Sequence, residues 1–269
     1  MTSILHLATA LYALGLVGEA AAKSNRYSLL TEKYGIEVQE AGQPGQASRD
    51  VAGGDAVWSS ASTPEYEEYG KILINEFNKY PAGLIKASGL RKVVLCGDLK
   101  VRGKIQGGCA SGQDHTLWLN VNLPGNSKKY KAMAIHHEFA HVIDYYFFTT
   151  KIYRWEMLRD WESLSGAEEY LQSSKNPRGV PDQIAEKPAM GPRKGFVSKY
   201  ARTNVMEDRA ELFAYMIICP RNVANRAEND VILKAKCEIL KKDLMRACPD
   251  MNDQFWTICI IAEPYEHYK

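Results

Sequence analysis

Apolar residues along this chain change their spacing several times, and each change marks an element. From Lys128 to Phe148 there is no Pro or Gly, and Ala134, Ile135, Val142 and Ile143 recur at a helical rhythm. The turn before it, Pro124-Gly125-Asn126-Ser127, offers Ser127 as N-cap. A helix is predicted over 63–80, where Pro64 and Glu65 suit a first turn. The apolar runs at 91–96 and 117–121 read as strands, and 99–106 as a further strand with Gly103 inside it. A helix over 154–173 would place Trp155, Leu158 and Leu164 on one side. Pro and Gly recur through 172–198, which reads as an irregular loop, and the chain from Glu207 onward reads as mainly helical.

The ends of the chain look different. Ile4 to Val17 is mostly apolar and is followed by Ala20-Ala21-Ala22, so 1–22 reads as a signal peptide, too short for a comfortable membrane span. Residues 23–62 are rich in Gly, Ala, Ser and Gln and read as a flexible arm or pro-segment. That leaves 63–269 as one domain, with 45% hydrophobic residues in the whole chain to build its core. A net charge of +2 gives no reason to expect a nucleic-acid partner. Six cysteines, four of them Cys219, Cys237, Cys248 and Cys259, suit an oxidising compartment and disulfides that staple the C-terminal helices.

The candidate chemistry lies inside the first helix. His137-Glu138-Phe139-Ala140-His141 places two histidines four residues apart on one helical face, close enough to grip one metal ion. Glu138 follows the first histidine and stands beside the ion, where it can take a proton from water. This is the H-E-x-x-H arrangement, and it points to zinc-dependent hydrolysis. His136 points elsewhere and reads as a supporting or surface residue. A hydrolytic zinc site holds three protein ligands and one open position. The best segment for the third is Tyr200 to Tyr215, a loop entering a helix with Thr203 or Asn204 as N-cap. Glu207 and Glu211 stack one turn apart there. One would bind zinc and the other would hydrogen-bond a ligand histidine, with a capping box as the ordinary use of Glu207.

Taken together, residues 137–146, Tyr200-Ala201-Arg202-Thr203-Asn204 and Glu207 through Ala214 resemble the catalytic core of anthrax lethal factor. The wider lethal-factor-like group includes the secreted Pro-Pro endopeptidases. The group has a tyrosine seven residues before the glutamate ligand and a second acidic residue one turn after it. The resemblance implies that Glu207 is the ligand and Glu211 its neighbour in support. It also implies that Tyr200 donates a hydrogen bond to the developing oxyanion or leaving nitrogen; should Tyr200 only pack, Arg202 is the first alternative donor.

The order of elements fits an α+β fold. A small mixed sheet is followed by the H-E-x-x-H active-site helix and a mainly helical C-terminal part, as in a gluzincin or thermolysin-like catalytic core. The strand nearest the cleft is expected to be 117–121. The reading is a secreted zinc endopeptidase with one catalytic Zn²⁺ on His137, His141 and Glu207. Glu138 and Tyr200 are its catalytic residues, a protein or peptide its substrate, and it has no stable membrane anchor. The alternative is a secreted binding protein with a structural or vestigial zinc site, closed by Asp114 or His115.

Overall fold

In the computed structural model, residues 26–47, 55–123, 127–152, 154, 156–172 and 193–262 are described. The 1–22 segment and most of 172–198 lie outside them. The centre of the fold is a seven-stranded mixed sheet. Strand β4 (Lys92–Val101) is its longest member and changes partners halfway. Its first half pairs in parallel with β1 (Glu37–Glu40) and β7 (Thr116–Asn120). Its second half pairs antiparallel with β3 (Ala56–Ser59), which carries β2 (Gly45–Ala47). The switch falls at Asp98, where φ is +45° and the register with β3 shifts.

The expected strand over 99–106 is two pieces. Leu99 to Val101 ends β4, Arg102 and Gly103 turn the chain at φ +52° and +77°, and β5 (Lys104–Ile105) returns on it. Two left-handed residues make a tight hairpin, so Gly103 is the turn rather than a flaw in a strand. Strand β6 (Gly108–Ser111) pairs antiparallel with β7 and ends the strand order. The edge strand on this side of the sheet is therefore β6. Strand β7 lies between β4 and β6 and is wholly buried, which corrects the expectation for 117–121.

Side chains of the sheet alternate between two cores, as a period of two requires. Val93, Leu95, Leu117 and Leu119 face the helices, while Val94, Cys96 and Trp118 face a smaller cluster with Leu99 and Val101. The helical side is built from α2 (Thr63–Phe77), α3 (Ala82–Ala87), α4 (Lys128–Thr149) and α5 (Glu156–Ser165), then α6 (Val205–Ile218), α7 (Pro220–Ala227), α8 (Val231–Ala247) and α9 (Asp253–Ile261). Helix α2 starts with a capping box of Ser62 and Glu65.

The arm expected over 23–62 is ordered where it is described. Helix α1 (Ser28–Tyr34) and β1 bring Tyr27, Leu30, Tyr34 and Ile36 into the main core. The polar, Gly-rich composition concealed four apolar residues at spacings that suit a helix and the strand after it. The cysteine expectation is also corrected. All six are free, five of them buried. Burial pushes the Cys96 thiol up to about 12, and burial dominates Cys237 and Cys259, both at about 11. They pack as small apolar groups. Among the described residues no helix is long and apolar enough to cross a membrane.

Candidate metal centre

Helix α4 carries 137–141 in its middle. Ser127 caps it, accepting from the Tyr130 amide at 3.3 Å. Helix α6 begins at its cap Asn204, whose side chain accepts from the Glu207 amide at 3.0 Å. The cap leaves the Glu207 carboxylate free to turn towards α4, and it does. His137 Nε2, His141 Nε2 and Glu207 Oε2 form a triangle with edges of 3.1, 3.1 and 3.4 Å. Four-coordinate zinc with bonds of about 2.0–2.2 Å needs ligand edges of about 3.3–3.6 Å. The three atoms stand within a few tenths of that spacing.

The hydrogen bonds around the triangle fix what points into it. His137 Nδ1 lies 3.0 Å from Glu211 Oε1, so that nitrogen donates to the carboxylate and Nε2 is the ring atom left to face a metal ion. Glu207 Oε2 is buried without a hydrogen bond. A buried carboxylate oxygen beside two imidazoles calls for positive charge between them, from a proton or a metal ion. Electrostatics gives the same answer. Burial opposes a charge on His137, but Glu207 and Glu211 outweigh it and raise the ring's pKa well above its ordinary value. Burial likewise opposes ionisation of Glu207, and the two histidines overcome it and hold the carboxyl well below the usual range. The donor set fits zinc, and among the described residues no fourth His, Cys, Asp or Glu joins it. Asp114 is held by Ser111 and His115 packs edge-on against Tyr146, so neither closes the site.

Glu138 projects next to the triangle and over β6. A Cβ on Gly108 would meet its Cγ at 2.6 Å, so glycine makes the room that Glu138 occupies. Burial pushes the Glu138 carboxyl up, against the pull of the two histidines. Tyr200 stands on a 3₁₀ turn, Tyr200–Arg202, with its ring 5.7 Å from that of His137. Burial and the carboxylates of Glu207, Glu138 and Glu211 raise its pKa, so the phenol stays protonated and able to donate. Arg202 is turned away to Glu169 and is no reserve donor for the site.

Three groups at or behind the site have partners that the sequence did not reveal. Ser198 donates to Glu211 Oε2 at 2.5 Å and accepts from the Ala201 amide, tying the Tyr200 turn to the support of His137. Asp144, one turn after His141, forms a bidentate pair with Arg209 of α6 at 2.8 and 3.1 Å, and Arg209 also reaches Asp243 of α8. His136 is fully buried on the opposite side of α4, bonded to Tyr80 and to Glu76 at 2.7 Å. An unpaired-looking Asp or Ser in a sequence gives no signal of such partners, which come from residues 56 to 65 positions away for His136 and Asp144.

Fold and site are of a kind that comparison with known proteins places in a family. The family model described as "Putative zinc-binding metallo-peptidase" matches residues 69–247, and the chain belongs to that family. A solved structure described as a putative zinc-binding metallo-peptidase from Bacteroides caccae is similar over 90% of this chain and 93% of that one, with a TM-score of 0.52. At 17% identity that likeness concerns the fold. No protein of curated function matches the chain.

Proposed function

We propose that this chain is a secreted zinc endopeptidase of the lethal-factor-like gluzincin kind. The observation that carries the reading is the triangle of His137, His141 and Glu207 with Glu138 beside it. The apolar Ile4–Val17 stretch and the Ala20–Ala22 site support export. The net charge of +2 gives no support to a nucleic-acid partner, and a protein or peptide is the substrate.

When bound, a single zinc ion would be held by His137, His141 and Glu207 and would supply Lewis acidity for a carbonyl and for water. Glu138 takes the proton of the attacking water and passes it to the leaving amine. Tyr200 donates to the oxygen that gains charge in the transition state. Glu211, held by Ser198, keeps His137 in the tautomer that presents Nε2. Among the described residues the outer edge of β6 has no strand partner, and it would supply backbone groups for an extended substrate.

The test is Glu138→Gln. The amide keeps the shape and cannot act as a base, so hydrolysis of a denatured protein substrate should fall by at least about 10²-fold. Zinc content should stay at one ion. Loss of zinc in this variant would mean that Glu138 is a ligand, and unchanged hydrolysis would remove it from the mechanism.

A further inference from the structure

The cleft face of α4 carries two aromatic side chains that the hydrolytic machinery does not use. Among the described residues, three aromatic side chains are exposed over more than a third of their surface: Tyr200 (49%), Tyr130 (46%) and Tyr145 (39%). Tyr200 belongs to the site. Tyr130 and Tyr145 lie on either side of Glu138 along α4, and each rests against a glycine at one end of β6. A Cβ on Gly107 would lie 3.1 Å from Tyr130 Oη, and one on Gly112 would lie 2.0 Å from Tyr145 Cγ. With Gly108 under Glu138, three glycines let three α4 side chains lie directly on the edge strand. The outer faces of both tyrosines remain open to solvent. Rigid, half-exposed tyrosines beside a reacting centre are recognition surfaces, since their large contact area loses little entropy on binding.

Strand register turns this into substrate positions. Residues along a strand are about 3.3 Å apart. A peptide added to β6 antiparallel, the sense in which β7 pairs with it, would have its scissile bond near Gly108, opposite Glu138. Gly107 then lies on the side of the peptide's C-terminal half. Gly112 lies four residues the other way, about 13 Å along the peptide's N-terminal half.

We propose that Tyr130 and Tyr145 are the substrate-selecting walls of the cleft. Tyr130 reads the side chain one or two residues C-terminal to the scissile bond. Tyr145 reads a side chain three or four residues N-terminal to it. Both favour bulky apolar or aromatic groups. The substrate is then an extended segment of about six residues or more, and cleavage is internal. This deepens the hydrolytic reading above and rests on it.

The test uses the zinc-loaded protein and a library of peptides of about eight residues varied at these positions. The same library is titrated against the Glu138→Gln variant by fluorescence anisotropy. Tyr130→Ala should lower kcat/KM about tenfold for peptides with Leu or Phe just C-terminal to the cut and leave those with Gly there nearly unchanged. Tyr145→Ala should do the same on the N-terminal side. Tyr130→Phe and Tyr145→Phe should keep the preference, and Val231→Ala, on a remote helix, should change nothing. Zinc content and thermal unfolding should match the parent in all five. No loss, or equal loss across all peptides, overturns the proposal. If the unaltered protein cleaves nothing, the hydrolytic reading fails and anisotropy alone decides the walls. Peptide preference that disappears with each tyrosine supports them, and binding without preference overturns them.

Discussion

Glu207 and Glu211 sit one turn apart on α6 and do different work. Glu207 Oε2 completes the triangle with the two histidines, whereas Glu211 faces the back of His137 through Nδ1. Glu207→Ala should therefore remove a ligand and abolish stable zinc binding. Glu211→Ala should leave three ligands and weaken zinc roughly 10- to 100-fold. Zinc competition with a chromophoric chelator checks both, and a larger loss in Glu211→Ala would mean that the two roles are exchanged. Part of this was legible in the sequence. The spacing of His137, Glu138 and His141 dictates one shared face, and the i, i+4 pair on α6 had to satisfy something. Residue types alone left open which glutamate was the ligand. That depends on the direction from which α6 approaches α4, which no local pattern encodes. Ser198 was invisible for the same reason, since a serine in a loop has many ordinary uses.

At the scale of elements, the approach of α6 to α4 is set by a buried ionic clamp. Arg209 is 1% exposed and holds Asp144 through two hydrogen bonds and Asp243 through a third. Asp144 lies three residues after His141 and Arg209 two after Glu207, so the clamp sits just behind the triangle and carries both ligand helices. Arg209→Met would leave two buried carboxylates facing each other, a loss of roughly 3–5 kcal/mol. Urea denaturation of the metal-free variant should read that loss, and zinc titration should read weaker binding as α4 and α6 separate. Stability within about 1 kcal/mol of the parent would show the clamp to be idle. Helices α2, α4 and α6 were legible because their caps and periodicity are local. Strand β6 was missed: Gly108, Cys109, Ala110 and Ser111 include no β-branched or aromatic residue. The same small residues that hid the strand let Glu138 lie against it, so the site's closest neighbour carried the weakest strand signal.

At the scale of the whole molecule, a buried polar network joins α2 to the far side of α4. Glu76, 2% exposed, accepts from the His136 ring and pairs with Lys79, while Tyr80 bonds the other nitrogen of His136. Sequence placed His136 off the metal face and could not supply these partners, which depend on α2 packing across α4. The network has a consequence for acid stability. Burial opposes ionisation of Glu76, but the His136 hydrogen bond and the charges of His136 and Lys79 outweigh it and hold the carboxyl at about 2, against an ordinary 4.5. A carboxyl with a depressed folded pKa favours the fold whenever it is ionised in both states. Its contribution is complete above about pH 4.5 and is lost as pH falls towards 2, and its size is of order 3 kcal/mol. Acid also protonates the ligand histidines and releases metal, so the measurement belongs on zinc-free protein in a chelating buffer. Urea denaturation of the parent should show stability falling steeply between pH 5 and 2. Glu76→Gln keeps the shape and the acceptor oxygen but cannot titrate. It should be less stable than the parent at pH 7 by a few kcal/mol, fall more gently over the same window, and meet the parent near pH 2. Parallel curves for the two proteins would mean that Glu76 titrates alike in the folded and unfolded chain and that acid unfolding is governed by other carboxyls.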